Sequence, residues 1–182
     1  MRYLLIILTA SVVFLSGCSS SRKAAKKLNE EANIHVPAKN NTTTRVVNTH
    51  NVAPDDVVDF AETLKGIKYK YGSVKKENGF DCSGYITYVF NHFDIKVPRQ
   101  SVDFTNTGVP VPLLSCKRGD LILFTGSDTT GWIVGHMGII LENKKGKVKF
   151  IHSSSGHNIG VIVSDLTGYY AIRFVKVVRV FN

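Results

Sequence analysis

The chain has 182 residues, three of them cysteines, and carries 23 Lys+Arg against 14 Asp+Glu, a formal charge of +9. The surplus is spread along the chain rather than gathered into a dense basic patch, since residues 54–182 hold 16 Lys+Arg against 12 Asp+Glu. That spread argues against nucleic-acid binding. No internal repeat and no second hydrophobic span is visible.

The chain opens with Met1-Arg2, and Leu4 to Leu15 is almost wholly apolar. The run is short for a bilayer span and suits the apolar region of a secretion signal. It ends in "LSGC", Leu15 to Cys18, which resembles the lipobox of bacterial lipoproteins. The resemblance implies a signal peptide over residues 1–17, cleavage before Cys18, lipid on its sulfur and acylation of the new amino terminus. Two or more acyl chains hold a protein firmly, at ~0.8 kcal/mol per buried methylene. Ser19 is similar to the outer-membrane sorting signal, which implies an anchor in the cell envelope, on the periplasmic side of the outer membrane rather than the inner one.

Residues 18–53 turn to Ser, Asn, Thr and Lys, with few apolar residues and no sustained period. Such a segment buries too little to offset its ordering entropy, so it reads as a flexible tether behind the lipidated Cys18. Its 35 residues after Cys18 would span on the order of 30–35 Å as a coil. Fully stretched they would reach about 115 Å.

Residues 54–182 make one domain of common size. "APDDVVDFAETLKG" predicts a helix: Pro54 suits the first turn, Asp55 and Asp56 its positive end, and Val57, Phe60, Ala61 and Leu64 share a face. "IKYKYG" is short and extended. In "NGFDCSGYITYVF", Asp81 is an N-cap type and Ile86, Val89, Phe90 and Phe93 mark one helical face, which puts Cys82 in the first turn. "VPRQSVDFTNTG" predicts a second short helix. Four strands are then expected at "DLILF", about Ile133 to Leu141, Val148 to Ser154, and Gly160 to Ser164. "YAIRFVKVVRVF" alternates and then slips phase, which predicts a long strand with a bulge. Helices first and antiparallel strands afterwards argue for an α+β domain.

A nucleophilic cysteine needs a favoured thiolate, a base within reach, and a group that orients the base. The first turn of a helix supplies partial positive charge and free amide hydrogens, which favour the thiolate of Cys82 and can hold an oxyanion. Among six histidines, His35 and His50 fall in the tether. His92 lies roughly 15 Å down the same helix from Cys82, too far to pair. His136, in "GHMGIIL", has glycines at 135 and 138 that permit close backbone approach. His152, in "FIHSSS", ends the next strand and can lie beside it on one sheet. His157, in the loop that follows, is the alternative third member.

The series "YKYG…GFDCSGYITYVF…VPRQS…RGDLILF…GHMGIIL…FIHSSS…GVIVS" resembles the NlpC family of peptidoglycan cysteine endopeptidases, over nearly all of residues 54–182 and in the family's order. The resemblance implies a papain-like α+β fold, with N-terminal helices packed on an antiparallel β-sheet. By motif it implies Cys82 as nucleophile, His136 as general base and acid, and His152 as the group that orients His136. It also implies that Tyr71, Asp81 and Ser83 line the substrate cleft. The substrate class implied is peptidoglycan stem peptides, cut between γ-D-glutamate and the diamino acid or at the D-alanine crosslink. A mildly basic, anchored domain suits such an anionic wall polymer. No cofactor is expected, no zinc-ligand spacing appears, and a monomer is expected. Three positions depart from the family pattern: Arg118 stands for a proline, Phe104 for a glutamine, and the "SSSG" after His152 is polar.

Three rival readings remain. Cys82 and Cys116 can form a disulfide in an oxidising compartment. A related Cys-His fold can act as an N-acetylmuramoyl-L-alanine amidase. A lipoprotein of this shape can bind the wall without catalysis.

Overall fold

The computed structural model describes residues 44–128, 130–156 and 159–181. The expected signal peptide, the expected lipidation site Cys18, most of the expected tether, His35 and His157 lie outside them. The folded unit reaches further toward the N-terminus than residue 54. Arg45 pairs with the strip before the sheet, donating to Asn106 O at 2.8 Å and accepting from Gly108 N at 2.9 Å. Val47 is buried in the main core.

Helix α1 spans Pro54–Glu62, with proline in its first turn and Asp55 and Asp56 at its positive end. Val57, Val58 and Ala61 turn inward. Phe60 stacks on His92 with ring centres 3.7 Å apart, so His92 serves as packing between helices. A two-stranded ribbon, β1 (Val74–Lys75) and β2 (Gly79–Phe80), leads into α2 (Cys82–Asn91). Ser101–Asn106 form a 3₁₀ helix rather than an α-helix, and bury one side chain, Phe104.

The rest of the chain builds an antiparallel sheet in the order β3-β8-β4-β5-β6-β7. Its strands are β3 (Val109–Val111), β4 (Leu121–Thr125), β5 (Val134–Lys144), β6 (Lys147–Ser154), β7 (Gly160–Asp165) and β8 (Phe174–Arg179). Alternation divides the sheet into two faces. Leu121, Leu123, Met137, Ile139 and Ile151 pack against α1 and α2, while Ile122, Phe124, Ile140 and Phe150 form a second core on the far side. β4 is therefore buried on both faces, which explains its uninterrupted apolar run.

One predicted element differs. The long strand expected over "YAIRFVKVVRVF" is split: Gly168–Arg173 form a short helix, α3, and only Phe174 onward joins the sheet. A strand would have required Ile172 to share a face with buried Phe174, but Ile172 is 76% exposed. The expected bulge is present: Leu123 faces Lys176 while Phe124 faces Phe174, leaving Val175 as the extra residue. These layers give the α+β, papain-like architecture, helices first and antiparallel sheet after.

One of the three departures noted in the sequence, Arg118, has a local explanation. Arg118 reaches Asp55, Asp59 and Glu62 along α1, clamping that helix to the loop before β4. Cys116 is a free thiol buried in the second core, held by the Asn143 side-chain amide, and Cys82 is free as well. The disulfide reading is thus not realised.

Candidate active site

Asp81 caps α2, its carboxylate accepting from Gly84 N at 2.6 Å. The same carboxylate takes a two-point pair from Arg99, at 3.0 and 2.6 Å, and Arg99 also donates to Ser83 Oγ at 3.0 Å. The cap and the ion pair lock the first turn of the helix, and with it Cys82. Gly84 is required here, because a Cβ would fall 2.1 Å from Ser73 O.

The histidines come from β5 and β6. Phe124 faces His136 and Thr125 faces Val134, so Gly135 is a bulge residue that breaks alternation just before His136. Cys82 Sγ lies 3.8 Å from the Gly135 carbonyl, one residue from His136. Gly138, two residues on, leaves space for the neighbouring strand: a Cβ there would sit 3.1 Å from His152 Cβ and 2.8 Å from Ile151 O. His152 therefore leans toward His136, and His136 Nε2 meets His152 Nδ1 at 2.9 Å with the rings nearly perpendicular. The far nitrogen of His152, Nε2, meets Ser164 Oγ at 3.0 Å and the Tyr170 hydroxyl at 3.3 Å.

This chain of contacts is compatible with the tautomers that a base acting through Nδ1 of His136 requires. With Nε2 of His136 engaged by His152, Nδ1 is the atom left to take a proton. His136 then donates through Nε2–H to His152 Nδ1, and His152 donates through Nε2–H to Ser164. Burial holds both imidazoles below the ordinary histidine value. His136 falls to about 4, with the Arg173 charge adding to the effect; His152 is depressed by burial and by His136 beside it.

The thiol departs from the sequence expectation. Burial, reinforced by Asp81, pushes Cys82 up to about 11, while main-chain N–H groups of Ser83, Cys82 and Met137 pull the other way. The helix-start amides do favour the thiolate, but desolvation outweighs them. Burial thus favours the neutral thiol and the neutral imidazole over a charged pair.

Cys82, Tyr69 and Gly135 stand at the border of two clefts. One, of about 340 Å³, is also lined by His136, Thr125, Tyr170 and Arg173. The other, of about 450 Å³, is lined by Tyr71, Asp81, Ser83 and Arg99. The structure thus brings Cys82, His136 and His152 into one locus and puts Tyr71, Asp81 and Ser83 on one flank of it. Ser164, Tyr170 and Arg173 were not anticipated. Ser164 was findable: His152 faces Ile162, so Ser164, two residues along β7, shares that face. Tyr170 and Arg173 were hidden by the strand reading of their segment.

Comparison with known proteins agrees with the fold. The model of the NlpC/P60 family matches residues 66–179. The chain belongs to the NlpC/P60 family, the family its motifs resemble. It is 29% identical over 172 residues to the probable endopeptidase NlpC of Escherichia coli (strain K12), covering 93% of each chain. It is 29% identical over 124 residues to the gamma-DL-glutamyl hydrolase of Bacillus subtilis (strain 168). That match covers 68% of this chain and 29% of the relative, so it spans less than a third of that protein's length. The crystal structure of an NlpC/P60 family protein from Bacillus cereus ATCC 10987 superposes with a TM-score of 0.62 at 26% identity, covering 70% of this chain and 40% of that one.

Proposed function

We propose that this protein is a lipid-anchored hydrolase that cleaves peptidoglycan stem peptides, with Cys82 as nucleophile, His136 as base and acid, and His152 as the positioning residue. The observation that carries it is the His136–His152 contact at 2.9 Å on strands beside the first turn of α2. The name of the Bacillus subtilis relative, a gamma-DL-glutamyl hydrolase, supports a γ-glutamyl bond as the one cut, and that of the Escherichia coli relative, a probable endopeptidase, supports cleavage within a peptide. The "LSGC" motif supports the anchor at Cys18 and an envelope location, with residues 18–53 as the tether, of which Arg45 and Val47 pack on the domain.

In this reading, Cys82 passes its proton to His136 Nδ1 as Sγ attacks the peptide carbonyl. The resting pair is neutral, so charge separation appears only as the substrate arrives, in a cleft from which water is displaced. Main-chain amides at the start of α2 hold the oxyanion. His136 then protonates the leaving amine, activates water, and the acyl group leaves Cys82. Asp81, fully occupied by its cap and by Arg99, stays out of proton transfer and holds the wall of the Tyr71 cleft.

The test is digestion of purified sacculi by the wild type and by Cys82→Ala, with mass spectrometry of the fragments. The reading expects L-Ala–D-Glu left on the sugar in wild type and no products from the variant. Sugars stripped of L-alanine would instead identify an amidase. Sacculus binding without products would identify a non-catalytic wall binder.

A further inference from the structure

The two clefts that meet at Cys82 differ in charge. On the Tyr71 flank the one lining carboxylate, Asp81, is matched by Arg99. On the His136 flank no carboxylate among the described residues lines the cleft, and one guanidinium does, that of Arg173 at the end of α3.

Arg173 is held in place by neutral groups. It donates to the Gly126 carbonyl and, at 3.1 Å, to Ser127 O, and its guanidinium lies 4.3 Å from the centre of the Tyr169 ring. Among the described residues no acid pairs with it. An arginine carries five N–H donors, more than two carbonyls use, and a fixed guanidinium suits bidentate capture of a carboxylate. Its charge reaches His136, where it helps keep the imidazole neutral. Thr125 lines the same cleft, is 1% exposed, and its hydroxyl has no partner among the described residues. A buried hydroxyl left unpaired is costly, and a bound ligand would relieve it. The flank is also defined chemically. The group that hands a proton to the leaving amine is His136, and His136 lines this cleft and not the other.

We propose that Arg173 is a specificity residue that binds a free carboxylate on the amino acid whose amine leaves, so that stem peptides with a carboxylate on the diamino-acid side chain are preferred over those with an amide or nothing there. The assignment rests on the peptidase reading above. It explains why a planar cation is fixed beside the general base, where it otherwise only disfavours the imidazolium that catalysis requires.

The experiment uses the full chain and three synthetic tetrapeptides, L-Ala–γ-D-Glu–X–D-Ala. X is meso-diaminopimelate, its side-chain amide, or L-lysine. Steady-state kcat/KM is measured for each by chromatography of the released fragments. The wild type is expected to prefer the free acid by about 10- to 100-fold over both others, mainly through KM. In Arg173→Gln the preference falls to within about threefold of unity, and in Arg173→Lys, which keeps the charge, a part of it returns. A wild-type ratio near one overturns the proposal without any variant. So does an Arg173→Gln enzyme that is slower on all three substrates with the ratio intact, the result of a merely structural arginine. Cleavage of none of the three overturns the γ-D-glutamyl reading and the assignment with it, whereas equal cleavage of all three overturns the assignment alone.

Discussion

Replacing His152 by alanine separates orientation of the base from everything else in the site. His152 is wholly buried and lines neither cleft, so it cannot touch substrate. Its removal deletes the contacts to His136 at 2.9 Å and Ser164 at 3.0 Å and leaves a ring-sized void between Phe150 and Tyr170. Each lost hydrogen bond costs about 1 kcal/mol and the void about 2 kcal/mol more, roughly 4 kcal/mol in all, which a domain of ordinary stability survives. In catalysis, His136 loses the acceptor that fixes its Nε2–H tautomer. A charged orienter lost in this way costs a serine protease about 10⁴-fold, and a neutral imidazole, which orients without stabilising charge, should cost less, about 10²–10³-fold in kcat. KM should stay within about twofold, because ground-state binding is untouched. His152→Asn places an amide oxygen near the lost Nδ1 and should recover at least tenfold of the rate. The assay is steady-state hydrolysis of a γ-D-glutamyl peptide, with a denaturant melt of each variant. A folded His152→Ala enzyme with kcat within threefold of wild type would refute the reasoning, as would a loss that appears only in KM.

Gly138→Ala should act on the same contact from the other side. Its Cβ would fall 2.8 Å from Ile151 O and from the Phe150 ring, so β6 must move, at a cost of about 1–3 kcal/mol, and kcat should drop at least tenfold; wild-type melting and turnover would contradict this. The pH profile of kcat/KM should have its acid limb below pH 6.5 and no alkaline limb up to pH 9, because His136 is held at about 4 and Cys82 at about 11; a bell with a descending limb near pH 8 would show instead that a preformed thiolate–imidazolium pair is the active species. Stability should follow the same histidines. Their folded values lie below the unfolded value of 6.5, so their contribution is complete above pH 6.5 and is lost as pH falls toward the folded values. Thermal melts should show a lower Tm at pH 5 than at pH 7, and His152→Asn should lessen the difference.

Much of the site was legible because its parts obey local rules. An N-cap aspartate sets the start of α2 and so the place of Cys82. A two-residue turn, Lys145-Gly146, joins β5 to β6 and makes His136 and His152 neighbours. Glycines at 135 and 138 announced close approach, and what approaches is Gly126 in one case and the Phe150–His152 stretch of β6 in the other. Three features were not legible, each for a non-local reason. The thiol's protonation depends on how deeply the fold buries it, which an N-cap pattern does not report. The helix Gly168–Arg173 has an apolar pattern that also fits a strand, and only its packing, with Tyr170 half-buried over the histidines and Ile172 in solvent, decides between them. Val47 joins the core from a polar stretch that reads as tether, because two adjacent valines, Val46 and Val47, among asparagines and threonines carry no periodic signal.

The central claim is that Cys82 forms a covalent acyl intermediate. The direct measurement is intact-protein mass spectrometry after rapid acid quench of the chain with a γ-D-glutamyl stem peptide, followed by peptide mapping. The account predicts a transient mass increase equal to the L-Ala–γ-D-Glu acyl group, localised to Cys82 and absent in Cys82→Ala. Turnover with no adduct at any quench time, an adduct on another residue, or undiminished hydrolysis by Cys82→Ala would contradict it.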